Sequence, residues 1–245
     1  MLYEGKVAVV TGGAHGFGRA VAGRLAEGGA QVVLADRDVE AGEAAAREIG
    51  AEFIGIDVSD PDSSEAMVER AVNEYGGLDL AFLNAGIATG CGMVEDFDLQ
   101  AYRRAMGVNL DGVVFGINAA VPAIRERGGG AIVVSASLAG IVPVPLDPIY
   151  AANKHAVVGL VRSVGPVLAE EKIFVNAVCP GFADTRIIDP FREMIEQFEL
   201  PLIEVDHVAG VVEELFQTDQ GGECMMIQAG VEPAAFRFRN VPAAR

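Results

Sequence analysis

The chain predicts an α/β fold: one domain built on a doubly wound parallel sheet of about seven strands, with helices on both faces. Three observations lead there. Short apolar, β-branched runs alternate with segments of helical period from the first residues to the last. The runs are continuous rather than alternating, as strands covered on both faces require. No linker, repeat or low-complexity stretch divides the 245 residues, which favours a single domain.

The elements follow in order. Lys6–Val10 reads as a strand ending at Thr11-Gly12-Gly13, and Val21, Ala22, Leu25 and Ala26 mark a helix stopped by Gly28-Gly29. Gln31–Ala35 is a second strand, 38–49 an alanine- and glutamate-rich helix, and Phe53–Ile56 a third strand. Asp60-Pro61 supplies an N-cap and an N1 proline for a helix reaching about Tyr75. A strand at Leu78–Leu83, a long helix from about Leu99 to Arg125 and a strand at Ala131–Val134 come next. The helix carrying Tyr150 precedes a strand at Phe174–Val178, helical patterns at 190–199 and 206–216, and a last strand at Cys224–Ile227.

Composition narrows the function. With 51% hydrophobic residues and 30 glycines, the chain can form a sizeable core crossed by many tight turns. The net charge of −17 is spread along the chain and disfavours nucleic acid or an anionic membrane as partner. No stretch reaches the roughly 18 uncharged apolar residues of a membrane span, and the N-terminus lacks a leader pattern, so a cytoplasmic protein is expected. Cys91, Cys179 and Cys224 are too few and too scattered for a disulfide framework or a zinc site.

Gly12, Gly16 and Gly18 lie in Thr-Gly-Gly-Ala-His-Gly-Phe-Gly, between the first strand and the first helix. This is not the G-x-G-x-x-G spacing, because Val21 stands where the third glycine would be. The physics is shared: glycines allow a tight turn, and the free N–H groups of a helix N-terminus receive a pyrophosphate. Asp36 ends the second strand, where a carboxylate accepts hydrogen bonds from an adenosine ribose and repels a 2′-phosphate. His15 and Arg37 are contrary signals, since either cation would suit that phosphate. The carboxylate at the strand end weighs more, and NAD is expected over NADP. Asp57-Val58 follows the third strand and either meets the adenine or caps the next turn. Asn84-Ala85-Gly86 ends the fourth strand as a cofactor contact or an ordinary turn.

Tyr150 and Lys154 are four residues apart and share one helix face. An ammonium beside a phenol favours the phenolate, so the tyrosine pKa is expected to fall from about 10 towards working pH. Ser137, thirteen residues before the tyrosine, supplies a hydroxyl for a substrate oxygen. These groups move a proton on or off an alcohol.

Together the motifs resemble the short-chain dehydrogenase/reductase family over nearly the whole chain. They are Thr11–Gly18, Asn84-Ala85-Gly86, Asn109, Ser137, Tyr150-Ala-Ala-Asn-Lys154, and Pro180-Gly181 followed by Thr185. The resemblance implies a Rossmann fold, an NAD cofactor, a secondary alcohol or ketone as substrate, and a homodimer or homotetramer. It makes Tyr150 the general acid/base and Lys154 a ligand of the nicotinamide ribose. Ser137 would hold the substrate oxygen and Asn109 a proton relay. The glycine loop, including His15 and Phe17, would hold the pyrophosphate. Pro180, Gly181 and Thr185 would meet the carboxamide. Within the family, Pro148–Gly159 and Asn176–Thr185 are most similar to NAD-dependent 15-hydroxyprostaglandin dehydrogenases. In such enzymes the position of Asp147 lines the substrate pocket; as a helix N-cap it is equally ordinary.

Some features depart from the pattern. Val133-Val-Ser-Ala-Ser137 lacks the family's usual Asn, and Gly165-Pro166 should kink or interrupt the Tyr150 helix. The tail 231–245, with Phe236-Arg-Phe-Arg239, runs past the last strand and either covers a neighbouring surface or frays. In the 187–202 segment, Phe191, Met194, Ile195 and Phe198 suggest an apolar substrate lid or simple core packing. An NADPH-dependent carbonyl reductase and a non-enzymatic dinucleotide-sensing scaffold are the rival readings.

Overall fold

A computed structural model of the chain describes residues 1–239, and its elements follow the predicted alternation. Strands β1 (Val7–Thr11), β2 (Gln31–Asp36) and β3 (Glu52–Gly55) alternate with helices α1 (Gly16–Glu27), α2 (Val39–Ile49) and α3 (Pro61–Tyr75). After β4 (Leu80–Leu83) come α4 (Leu99–Met106), a π-helical turn over Gly107–Asp111, and α5 (Gly112–Glu126). Then follow β5 (Gly130–Ser135), α6 (Pro148–Ala169), β6 (Ile173–Pro180), α7 (Arg192–Gln197), α8 (Val205–Phe216), β7 (Cys224–Gln228) and β8 (Val231–Ala235).

One sheet of eight strands runs β3-β2-β1-β4-β5-β6-β7-β8. All neighbours pair in parallel except β7 and β8. The strand order reverses between β1 and β4, which opens a crevice at their carboxyl ends, the place where open α/β sheets bind ligands. Successive residues of each strand face opposite sides. Val9 and Val33 join one core with Met67, Ile117, Ile124, Val157 and Val161 of α3, α5 and α6. Val10 and Leu34 join the other with Val21, Leu25, Val208 and Val212 of α1 and α8. Each such side chain, buried fully, contributes about 1.5–3 kcal/mol.

Three expectations are corrected. To the seven strands read from the sequence the tail adds an eighth, because it turns back at Gly230 (φ +72°) and Val231–Ala235 pairs antiparallel with β7 instead of running past the sheet. Phe236 and Phe238 extend that return edge to face, and Phe238 lies 3.6 Å below the Arg162 guanidinium of α6. Residues 240–245 of the tail lie outside the described residues. Second, α6 is not interrupted by Gly165-Pro166 but continues to Ala169. Gly165 is needed there, because a Cβ would collide with the Gly222 backbone, while Pro166 and Arg162 are exposed, so water can satisfy the carbonyl left without its N–H partner. Third, the predicted helix from Leu99 widens at Asn109 into the π-helical turn, a form found mostly at functional sites.

The run Leu99–Glu126 is apolar and long enough to cross a membrane by length and composition (mean hydropathy 1.4). Half of the 18-residue window that has this hydropathy is buried in the protein, where α5 packs on α3 and the sheet.

Candidate active site

A cleft of about 700 Å³ follows the carboxyl ends of β1, β2, β4, β5 and β6. It runs from Asp36, Arg37, Asp57 and Val58, past Gly12, His15, Gly16 and Phe17, to Asn84, Ala85, Gly86, Ser137, Tyr150, Lys154, Pro180, Gly181 and Thr185. Of the residues expected from the sequence, Gly18, Asn109 and Asp147 fall outside its lining. Gly18 packs under the loop, where a Cβ would collide with the Gly12 carbonyl. Gly12 (φ +64°) and Gly16 (φ +50°) hold left-handed turns that a side chain would strain. His15 stands at the N-cap of α1 without a side-chain capping bond, leaving the first-turn N–H groups open to an anion.

At the β2 end, both Asp36 oxygens accept backbone bonds, from Ala14 N and Asp38 N, each at 3.0 Å. The carboxylate is thus fixed in direction before any ligand arrives. Asp38 takes up His15, whose Nε2 lies 3.0 Å from its Oδ2, and Arg186 reaches within 3.7 Å of the same carboxylate. Hydrogen bonds from His15 and from Ala41 N, with the Arg186 charge nearby, hold the Asp38 carboxyl below the usual carboxylate range. Asp57 accepts Ser59 N at 3.0 Å and Ser59 Oγ at 2.7 Å, so it caps its own turn while bordering the cleft. Asn84 is a staple. Its Nδ2 donates to the Thr11 carbonyl (3.0 Å), its Oδ1 accepts Ser135 Oγ (2.9 Å), and its N–H donates to Thr11 Oγ1 (2.9 Å). Three strand ends are tied there, and the crevice floor gains its shape.

At the other end, Asp147 caps α6, and Pro148 occupies its first turn. One Asp147 oxygen accepts Tyr150 N (2.9 Å) and the other Thr89 N (3.2 Å), so the buried carboxylate bridges the β4 loop to the helix. Nearly two turns into α6, buried Lys154 donates from Nζ to the Ser135 carbonyl (2.7 Å). Asn109 exchanges two bonds with the Ile87 backbone, donating to its carbonyl (2.9 Å) and accepting its N–H (2.8 Å). A Cβ on Gly86 would stand 3.5 Å from Asn109 Oδ1 and 3.7 Å from Lys154 Nζ, which places both groups beside that strand end. Ser137 Oγ donates to the Pro180 carbonyl (3.3 Å) and accepts Ala139 N (3.1 Å).

The expected fall in the Tyr150 pKa is not found. Burial pushes the phenol up to about 12, the Ser137 hydroxyl acts in the opposite sense, and the Asp147 carboxylate adds to the rise. Lys154 Nζ lies 5.6 Å from the centre of the Tyr150 ring and is turned to Ser135. Burial likewise lowers Lys154 to about 8. Desolvation, which disfavours each charged form, is the largest cause of both shifts.

A second cavity, of about 470 Å³, shares Ala88, Ser137, Tyr150, Gly181 and Ile187 with the cleft. Its wall is mostly apolar, with Leu138, Val142, Leu146, Phe182, Phe191 and Leu200, and it includes Asp147 and Gln228. In the segment expected as a lid, Phe191 faces this cavity, Ile195 is buried and Phe198 is exposed. The sequence reading missed Thr11, Asp38, Ser135, Arg186 and Gln228. Asp38 and Arg186 stand next to motif residues, whereas Gln228 enters only through the β7–β8 turn.

The profile of the short chain dehydrogenase family matches residues 6–196. Cyclohexanol dehydrogenase of Acinetobacter sp. (strain SE19) is 37% identical over 198 residues, 78% of each chain. A 3beta-hydroxysteroid dehydrogenase 2 of Eggerthella lenta is 39% identical over 199 residues, 79% of this chain and 76% of that protein. The crystal structure of 3-ketoacyl-(acyl-carrier-protein) reductase from Brucella melitensis complexed with NADH superposes with a TM-score of 0.84 at 31% identity, covering 93% of this chain and 98% of that one. This chain belongs to the short-chain dehydrogenase family.

Proposed function

We propose that the protein transfers hydride between NAD(H) and a secondary alcohol or ketone on an alicyclic skeleton. The observation that carries this reading is the junction of the two cavities. Ser137 and Tyr150 line both, so a substrate oxygen in the apolar cavity meets the proton-handling groups at the inner end of the cleft. Two relatives named for alicyclic alcohols, cyclohexanol and a hydroxysteroid, support the substrate class.

The cleft fits a dinucleotide. The open first turn of α1 suits a pyrophosphate, and Asp36, with both oxygens aimed by backbone bonds, suits ribose hydroxyls. Asp36 and Asp38 together disfavour a 2′-phosphate, and His15 is paired to Asp38 rather than free to bind one. This favours NAD over NADP, and a neighbour of known structure holds NADH. Pro180, Gly181 and Thr185 line the same cleft as Lys154, where they suit the nicotinamide end.

The cofactor, when bound, supplies the hydride donor or acceptor. The chain's residues do the rest. Ser137 Oγ orients the substrate oxygen. Tyr150 gives that oxygen a proton in reduction and takes it back in oxidation. A phenol pushed up to about 12 holds its proton at neutral pH, which suits the reductive direction; oxidation needs positive charge drawn close to its oxygen. Lys154 and Asn109 hold their places through Ser135 and Ile87 and continue the proton path inward. Asp147 sets the start of α6, and with it the position of Tyr150, and makes the cavity unwelcoming to anionic substrates. Screening secondary alcohols with NAD⁺ and following NADH absorbance tests the reading; tight NADH binding with no turnover across the panel overturns it.

A further inference from the structure

Among the described residues that line the apolar cavity, Asp147 alone is charged. The basic side chains of the site, His15, Arg37, Lys154, Arg186 and Arg192, line the larger cleft and not this cavity. Asp147 is 5% exposed, and its two oxygens accept Tyr150 N and Thr89 N. Tyr150 and Ala88, the residue before Thr89, belong to the same wall, so the carboxylate is set into that wall between them. Among the described residues no cation pairs with it, because every ion pair falls on another carboxylate. Lys154, about two turns beyond it, gives its ammonium to the Ser135 carbonyl. The Thr89 hydroxyl beside it is buried and, among the described residues, also without a partner.

Two backbone N–H groups do not neutralise a buried carboxylate. Its oxygens offer about four lone-pair positions, and backbone donors fill half of them. Buried charges are ordinarily paired, and the aliphatic and aromatic remainder of this wall supplies no positive charge. The reacting end is close by. Asp147 and Tyr150 are three residues apart at the start of α6, a spacing that sets neighbouring Cβ atoms about 5–6 Å apart. The carboxylate's charge reaches the phenol, where it adds to the rise in pKa. A cation held on Asp147 therefore stands within a few bonds of the carbon whose oxygen meets Ser137 and Tyr150.

We infer that Asp147 binds an ammonium group, and that the substrate is an alicyclic amino alcohol, or the matching amino ketone, whose nitrogen is carried by the carbon next to the reacting one. This rests on the hydride-transfer reading above and names its substrate class. In oxidation the hydroxyl proton passes to the Tyr150 phenolate, the carbinol hydrogen leaves with its electron pair to NAD⁺, a C=O bond forms, and the C–N bond is untouched. The ammonium offsets the Asp147 charge at the phenol, so the bound substrate eases the proton transfer that oxidation needs. Because the carboxylate is already out of water in the fold, binding strips hydration from the ammonium alone.

The test compares N-methylpiperidin-3-ol with 3-methylcyclohexanol, which share a shape and differ in one protonated ring nitrogen, using NAD⁺ with wild type and Asp147→Asn. Asparagine keeps a capping oxygen and removes the charge. The wild type is expected to favour the amino alcohol in kcat/KM by at least about tenfold, the worth of a hydrogen bond to a charged group. In Asp147→Asn the ratio falls towards one. Damage to the start of α6 would lower both alcohols together, and a ratio left intact overturns the assignment. So does a wild type that prefers 3-methylcyclohexanol, or one that uses cyclohexane-1,2-diol as well as the amino alcohol, since Asp147 would then be the partner of a neutral donor. These wild-type comparisons decide even where the variant fails to fold. Binding is read separately by titrating each alcohol into the enzyme–NADH complex, which has no hydride acceptor, and following NADH fluorescence. If the wild type binds the amino alcohol more tightly while no alcohol is turned over, hydride transfer is wrong and the Asp147 contact stands; if it binds both alcohols equally, the ammonium assignment is wrong whatever the turnover.

Discussion

Arg186 and His15 meet across the mouth of the cleft, with Arg186 Nη1 2.8 Å from His15 Nε2. The same ring nitrogen lies 3.0 Å from Asp38 Oδ2, and one nitrogen cannot accept from the guanidinium and donate to the carboxylate at once. Beneath this contact a Cβ on Gly16 would stand 3.2 Å from Thr185 Cγ2. The loop after β6 thus roofs the glycine loop, and a dinucleotide lying along the cleft must pass under it.

Removing the roof should speed cofactor release. Exposed ion pairs contribute about 0.2–1 kcal/mol, so Arg186→Ala is expected to raise the NADH dissociation rate by up to about fivefold in stopped-flow fluorescence. His15→Ala should do the same, and the double variant should add little to either. Fully additive effects would show that the two side chains act separately.

Tyr150→Phe removes the proton donor and keeps the ring. Turnover is expected to fall by about 10²–10⁴-fold with NADH affinity nearly unchanged. A parallel loss of NADH binding, read by fluorescence titration, would make Tyr150 a cofactor-site residue rather than the acid.

Asp36→Asn keeps the shape of the strand end but removes its charge. Hydrogen bonds to a charged group contribute about 1.5–3 kcal/mol. The preference for NAD⁺ over NADP⁺ in kcat/KM is therefore expected to shrink by at least about tenfold. An unchanged preference would place the ribose elsewhere.

Lys154 titrates at about 8 in the folded protein against an ordinary 10.5. Between those values the unfolded chain binds more protons, so stability rises with pH across that window; below pH 8 the charged, buried lysine costs about 3 kcal/mol. Lys154→Met should therefore melt higher than wild type at neutral pH, with the difference shrinking towards pH 10.5. A difference that does not change with pH would rule out burial of the charge as its cause.

Gly165→Ala pushes a methyl group into the Gly222 backbone. Overpacking costs about 1–3 kcal/mol, and neither backbone can step aside easily, so the melting temperature should drop by several degrees. An unchanged melting temperature would mean that the α6–β7 loop contact is slack.

Much of this was legible before any coordinates. Continuous Val/Ile/Leu runs announced strands covered on both faces, and Gly28-Gly29 and Asp60-Pro61 marked helix ends by local chemistry alone. The glycine loop, Asp36, Ser137, Tyr150 and Lys154 were found because each occupies a strand end or one helix face, and the topology carries such positions to one edge of the sheet. What escaped depends on contacts between distant segments. Nothing local in Val231–Ala235, with Glu232 and Pro233, marks a strand; pairing with β7 creates it. The Tyr150 pKa was misjudged because the i, i+4 spacing shows the lysine but not the desolvation around it. Arg186 was passed over because its partner His15 lies 171 residues away in sequence.

The added strand β8 also decides how the sheet ends. Between Met226 and Gln228 the register slips by one residue, and the surplus falls on β8 in the stretch containing Pro233. Proline has no N–H to lend to a further strand, and Glu232 beside it sets a charge on that rim. At the opposite rim β3 is only four residues long and begins with Glu52. Neither border invites another strand to zip on, so folded copies of this chain crowded together are kept from adding to one another edge to edge.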